Sequence, residues 1–261
     1  MIKHYLKLWW QLTVATSQIA FQSRFGAILF LFGKIVRFVF FYIFLLVLVS
    51  KTKTIAGYSF WQIVFFYATF NLLDTLPQFF FRNVYRFREQ VINGYYDNVL
   101  IKPLPALFHP LFGGSDLLDI VILIASLLII IFSGVHLSGI TLDRVLVYLL
   151  LLSNGFLIAT ALHIFVLGIG ILTTAVDNTV MLYRDLTQMG RVPIEVYQEP
   201  LRGLITFVVP VGIMMTFPTK AMLGLLSLQG VFIALMVGGG LFWLSLRFWS
   251  YALKGYTSAS G

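Results

Sequence analysis

The sequence predicts an all-α polytopic membrane protein: six transmembrane helices, a helix lying in the interface at the N-terminal end, and a short cytoplasmic helix between spans two and three. Three observations carry this. Hydrophobic residues make up 59% of the 261 residues and charged residues only 11%, against roughly 45–50% and about 25% in soluble domains. The mean hydropathy is +0.93, which excludes a soluble globular enzyme and equally a disordered chain, since disorder needs low hydrophobicity. The apolar residues fall into separate runs of the length a bilayer crossing needs, about 20 residues each. Strand-like alternation is absent, which argues against a membrane β-barrel. Six crossings consume roughly 120 residues, so the loops are short and 1–261 reads as a single transmembrane domain.

The elements follow in order. In 1–24, Tyr5, Leu8, Trp9, Leu12 and Ile19 recur near helical spacing among polar residues, and with Trp9 and Trp10 this predicts an amphipathic interfacial helix. Lys3 and Lys7 are not followed by a compact apolar core and a small-residue cleavage site, so no removable signal peptide is expected. The first span is 29–49, with an uninterrupted apolar core at 38–49 and Lys34 and Arg37 one turn apart at its start. The second, 60–80, carries Asn71, Asp74 and Pro77. The third, 112–132, is entered through Asp116 and Asp119, read as helix N-terminal acids favoured by the dipole. The fourth, 145–172, is long enough to tilt or project from the bilayer. The fifth, 201–217, is short and contains Pro210; with Pro218 nearby, a broken or re-entrant helix also fits. The sixth is 223–243. The intervening 173–200, with Asp177, Arg184, Asp185, Arg191, Glu195 and Glu199, fits either a cytoplasmic amphipathic helix or an extension of the fourth span.

Charge sets the orientation. The net charge is +8, with 18 Lys and Arg against 10 Asp and Glu. In a membrane protein such an excess belongs to cytoplasmic loops rather than to nucleic-acid binding. With the N-terminus inside, the inner segments hold Lys3, Lys7, Arg24, Arg82, Arg86, Arg88, Lys102, Arg184, Arg191, Arg202, Arg247 and Lys254. The outer ones hold Lys51, Lys53, Arg144 and Lys220. Twelve against four predicts both termini cytoplasmic.

Catalytic signatures are missing. There is no GxxxxGK[ST] phosphate loop, no HExxH and no GxSxG. The four histidines (His4, His109, His136 and His163) are scattered, and the absence of cysteine removes thiolate chemistry and Cys-ligated metals. No catalytic residue, metal or cofactor is expected in this chain. Charges inside spans are a separate pointer, because an ionisable group there costs roughly 2.5–3.5 kcal/mol and normally has a partner or a watery surrounding. Lys34 and Arg37 share one face of the first span; Asn71, Asp74 and Gln78 share one face of the second. Snorkelling to the headgroups, an ion pair with Asp74, and a polar lining of a transport pathway all fit.

The segment 82–105 is the most informative. Arg82, Arg86 and Glu89 fall at helical spacing, Gly94 breaks the helix, Tyr95, Tyr96, Val99 and Leu100 offer an apolar aromatic face, and Lys102-Pro103-Leu104-Pro105 ends it. Such a helix either docks into a partner's groove or lies on the lipid surface.

Three blocks carry a resemblance: VINGYYDNVLIKPL within this segment, RVPIEVYQEPLRGLITFVVPVGIMMTFPTKAMLG at 191–224, and the C-terminal WSYALKGYTSASG. Together with the span count they resemble ABC-2-type transporter permeases, in the branch of small six-span permeases. Gln198-Glu199 and Thr257 depart from that branch's pattern. The resemblance implies a transport subunit, most simply an exporter, in a bacterial or archaeal cell (inner) membrane. It implies a separate ABC ATPase that binds ATP and Mg, and a second permease chain, identical or homologous. The helix at 86–100 would then be the coupling helix, with Arg86, Arg88, Glu89, Gly94, Tyr95, Tyr96, Asp97, Leu100, Lys102 and Pro103 at the ATPase. A gradient-driven secondary transporter and an intramembrane lipid-modifying enzyme are the rivals.

Overall fold

The computed structural model describes residues 2–52, 54–173 and 176–257. Lys53, counted above among the outer cations, and the last four residues of the C-terminal block lie outside the described residues. Twelve α-helices are described: α1 (Ile2–Gln22), α2 (Arg24–Thr52), α3 (Phe60–Phe80), α4 (Phe87–Ile92), α5 (Asp97–Leu100), α6 (Phe108–Phe112), α7 (Asp119–Val135), α8 (Leu142–Thr173), α9 (Val176–Gln188), α10 (Leu201–Gly203), α11 (Phe217–Met222) and α12 (Leu228–Lys254). Among the described residues the one strand-like pairing is an isolated bridge between Ile55 and Tyr58.

Local chemistry accounts for the boundaries. The backbone N–H of Ser59 donates to Gln62 Oε1 at 2.9 Å, satisfying a donor at the start of α3. Ser227 accepts from the Gly230 N–H at 3.1 Å at the start of α12. Gly94 takes φ +70°, a conformation glycine adopts without penalty, and turns the chain between α4 and α5.

Three helices, α2, α8 and α12, are long and apolar enough to cross a membrane, and one further broken pair raises this to four. The 21-residue α3 is interrupted by polar side chains, and α7 has 17 residues. Helix α8 is the centre of the bundle: 67% of its most apolar stretch is buried, against 17% for α2 and for α12. It packs along α12 through small residues. Asn154 Nδ2 donates to the Ala234 carbonyl at 2.9 Å, and a Cβ on Gly238 would collide with the Asn154 amide. Helix α3 packs along α7. A second apolar cluster, built from Phe81, Phe87, Tyr96, Val99, Ile164 and Trp249, closes the end of the bundle that carries α1 and the end of α12.

The fifth expected span is not a straight helix. Leu201–Val208 and Gly212–Met222 are bent by 79° relative to each other. Both arms contain π-helical turns, Leu204–Val208 and Gly212–Thr216. Pro210 lacks the N–H that a continuous helix needs there, so the break falls where local chemistry puts it. Instead, the charged stretch 176–196 runs the length of the bundle antiparallel to α3. Asp177 pairs with Arg88 at 3.0 Å beyond one end of α3. Tyr183 packs on His163, and Arg184 faces both Asp74 and Tyr85. The Arg191 guanidinium lies 5.7 Å from the Phe41 ring centroid. Glu195 pairs with Lys220 at 2.8 Å and faces Tyr58, just before α3 begins. The stretch is not a single helix: α9 ends at Gln188, and the extended residues Val192 and Pro193 separate two short 3-10 turns, Met189–Arg191 and Ile194–Val196.

Candidate functional site

Two groups of residues stand out: a charged cavity inside the bundle and the surface of 82–105. The cavity is small, about 20 Å³, and is lined by Lys34 and Arg37 from α2, Asn71, Asp74 and Gln78 from α3, Asp119 from α7, and Arg191. All five polar span residues named from the sequence, Lys34, Arg37, Asn71, Asp74 and Gln78, therefore meet at one place. Asp74 faces Arg37 first, then Arg191 and Arg184, with Gln188 also at its carboxylate. Gln78 Nε2 donates to Asp74 Oδ2 at 3.1 Å, and Asn71 Nδ2 donates to the Tyr67 carbonyl at 2.7 Å.

Of the two α2 cations offered to Asp74 by the sequence, Arg37 faces it and Lys34 pairs elsewhere. Lys34 donates to Asp119 Oδ1 and lies 3.6 Å from Asp116, which Arg82 approaches at 3.7 Å. Asp116 and Asp119 are therefore not simply dipole-favoured helix starters. Asp119 is only 1% exposed, and a buried carboxylate requires a cation. The first turn of α7 is set against the start of α2, so the nearest cation is Lys34. Arg37 keeps an exposed side chain at the cavity rim and is the α2 residue that faces Asp74.

In 82–105, the expected face splits in two. Tyr96 is 0% exposed, stacked edge-on against Phe87 and Tyr256, and its hydroxyl donates to the Ala106 carbonyl at 3.2 Å. Burial holds the Tyr96 hydroxyl well above the usual tyrosine range. Val99 is also buried and Leu100 half-buried. Asp97 accepts a hydrogen bond from Tyr256. Tyr95, by contrast, is 63% exposed. Glu89, Lys102 and Pro103 are exposed, Arg88 is paired with Asp177, and Arg86 points towards α1. The outward surface consists of Ile92, Tyr95, Asn98 and Ile101, with Ile101 82% exposed. Ile92 and Ile101 were not singled out in the sequence. No helical spacing marks them, because the turn at Gly94 separates Ile92 from Tyr95 and Asn98; their exposure is what groups them.

A sequence model of the family described as ABC-2 family transporter protein matches residues 35–260. The chain belongs to this family. No curated protein and no solved structure matches it. A chain of this family is a multi-pass membrane permease, the transport subunit of an ABC transporter, and the family implies partnership with an ABC ATPase. In this ABC-2 permease the family match covers the whole of 82–105 and every wall of the charged cavity except Lys34.

Proposed function

We propose that this permease forms, with a second identical or homologous chain, the membrane pathway of an ATP-driven exporter. A separate ATPase subunit, holding ATP and Mg, supplies the energy. The match to the ABC-2 family over 35–260 is the observation that carries this reading. Six crossings, α2, α3, α7, α8, 176–196 and α12, place both termini in the cytoplasm of a bacterial or archaeal cell membrane. With this assignment Arg184 and Arg191 join Lys34 and Arg37 inside spans, and Arg202 moves outside. The cytoplasmic segments then hold Lys3, Lys7, Arg24, Arg82, Arg86, Arg88, Lys102, Arg247 and Lys254, nine cations, against Lys51, Lys53, Arg144, Arg202 and Lys220, five outside.

The stripe Ile92, Tyr95, Asn98 and Ile101 is the surface offered to the ATPase. Exposed aromatic and aliphatic side chains of this kind act as anchors in a partner's pocket. The charged cavity is the polar element of the pathway, where Asp74, Arg37 and Arg191 meet cargo or gate its passage. The exposed apolar face of α2, including Phe32, Val39, Phe40 and Val47, is covered by lipid and by the second permease.

The test is purification of the tagged chain from its source membranes in mild detergent, with ATP hydrolysis assayed on the eluate and ATP-driven flux assayed in proteoliposomes. Co-purifying hydrolysis that falls about tenfold or more with Tyr95→Ala/Ile101→Glu supports the reading. Hydrolysis by the isolated chain, or flux driven by an ion gradient without an ATPase, overturns it.

A further inference from the structure

We propose that the pocket between α1, the start of α2 and the 113–118 segment binds one anionic phospholipid, its phosphate against Arg82 and Arg86 and an acyl chain along α1. The pocket has a volume of about 190 Å³, an order of magnitude above what one water needs. It adjoins an open cleft of about 590 Å³ walled by Trp10, Val14, Phe21 and Leu117. The two share Ser17, Phe21 and Leu117, so a single amphiphilic molecule spans both.

The polar half has a surplus of cation. Arg82 and Arg86 line it, and its one carboxylate, Asp116, is already engaged by Lys34 at 3.6 Å and Arg82 at 3.7 Å. The other oxygen of Asp116 accepts from the Leu118 N–H at 3.1 Å. Among the described residues no carboxylate pairs with Arg86. Arg82 is steadied from two sides, its guanidinium 5.8 Å from the Phe30 ring centroid and 5.5 Å from that of Tyr85. Ser17, only 8% exposed, lines the pocket with a buried hydroxyl that has no hydrogen-bond partner. A buried hydroxyl without a partner is costly to leave unsatisfied, and a phosphate oxygen is an acceptor that would satisfy it.

The apolar half argues for a lipid rather than a soluble phosphate. Trp10 and Phe21 are exposed along the cleft, which suits an acyl chain and not water. The pocket sits at the basic end of the bundle, where an anionic leaflet attracts Lys and Arg. That leaflet assignment rests on the orientation proposed above; the pocket does not. All of α1 and the start of α2 lie outside the part of the chain matched by the family model.

The experiment is native mass spectrometry of the full chain in neutral detergent, with dioleoyl phosphatidylglycerol and dioleoyl phosphatidylcholine, which share acyl chains, and sn-glycerol 3-phosphate as the soluble phosphate. The expected result is one tightly retained phosphatidylglycerol, favoured about tenfold over phosphatidylcholine. Arg86→Ala should erase most of that preference, and Arg86→Lys should keep part of it. Arg86 is exposed and, among the described residues, pairs with no carboxylate, so these variants should keep the fold, which circular dichroism checks. Ser17→Leu, which fills the pocket, should lower retention of phosphatidylglycerol as well. Equal retention of the two lipids, an Arg86→Ala chain with unchanged preference, or displacement of the lipid by glycerol phosphate at equal concentration overturns the proposal. The assay needs no ATPase, so its failure is separate from failure of the exporter reading.

Discussion

The Tyr256 hydroxyl donates to Asp97 Oδ1 at 2.8 Å, joining residues 159 positions apart. The same ring packs edge-on against Tyr96, 5.3 Å between centroids. The end of α12 is therefore fastened to the segment that presents the Ile92–Ile101 stripe. Helix α12 in turn is keyed into α8 at Asn154.

Tyr256→Phe keeps the ring and removes the hydrogen bond. The expected loss in thermal stability is small, about 1 kcal/mol, while ATPase-coupled transport falls further than stability does. Burial, then the hydrogen bond and charge of Asp97, push the Tyr256 hydroxyl up to about 12. A raised folded-state value means the contact is fully present below the unfolded value near 10 and is lost as pH rises through about 12. The stability difference between wild type and Tyr256→Phe should therefore be flat from pH 6 to 9. A difference that varies across that range would show the hydroxyl in another role.

Asp119→Ala should destabilise the chain by roughly 1.5–3 kcal/mol, because Lys34 loses its hydrogen-bonded carboxylate and keeps only Asp116, 3.6 Å away. Replacing both, as Lys34→Met with Asp119→Leu, should recover most of the loss. In a double-mutant cycle Lys34 should couple to Asp119 and not to Asp74. Coupling of Lys34 to Asp74 of more than about 0.5 kcal/mol would contradict the geometry.

Topology is directly measurable, since the sequence contains no cysteine. Single cysteines at Thr54, Ser138 and Gln198 should react with an impermeant reagent added outside sealed cells, and one at Asn93 should not. Gln198 is the deciding position. A straight fifth span at 201–217 puts it inside; a crossing at 176–196 puts it outside. Protection of Gln198 from outside labelling would restore the straight span.

Gly238→Ala should lower stability by about 1–3 kcal/mol, because its Cβ is driven into the Asn154 amide and forces α8 and α12 apart. Gly239→Ala is the control: nothing lies within 4 Å of its Cβ, so it should be neutral or stabilising. Equal effects at the two positions would mean that the α8–α12 contact tolerates separation.

Much of this protein is determined by its sequence alone. The runs at 29–49, 60–80 and 145–172 each became one helix, because a long apolar stretch in lipid has only intrahelical partners for its backbone. The turn at Gly94 follows from the conformational freedom of glycine, and the break at Pro210 from a missing N–H. The motif VINGYYDNVLIKPL pointed to the family that the match over 35–260 establishes. Tertiary structure decided the rest, and for one reason: partners supplied from far along the chain are invisible to local pattern. Hydropathy favours 201–217 over 176–196, since the latter carries Asp177, Arg184, Asp185, Arg191 and Glu195. The structure sets Arg191 and Arg184 near Asp74, more than a hundred residues away in sequence. Spacing put Tyr95 and Tyr96 on one docking face, but adjacent residues on a turn point apart, and only the cluster of Phe87, Trp249 and Tyr256 decides which one is drawn inward. Lys34 carries the same lesson: its own helix shows that it needs a carboxylate, and the packing of α7 beside α3 selects Asp119 over Asp74.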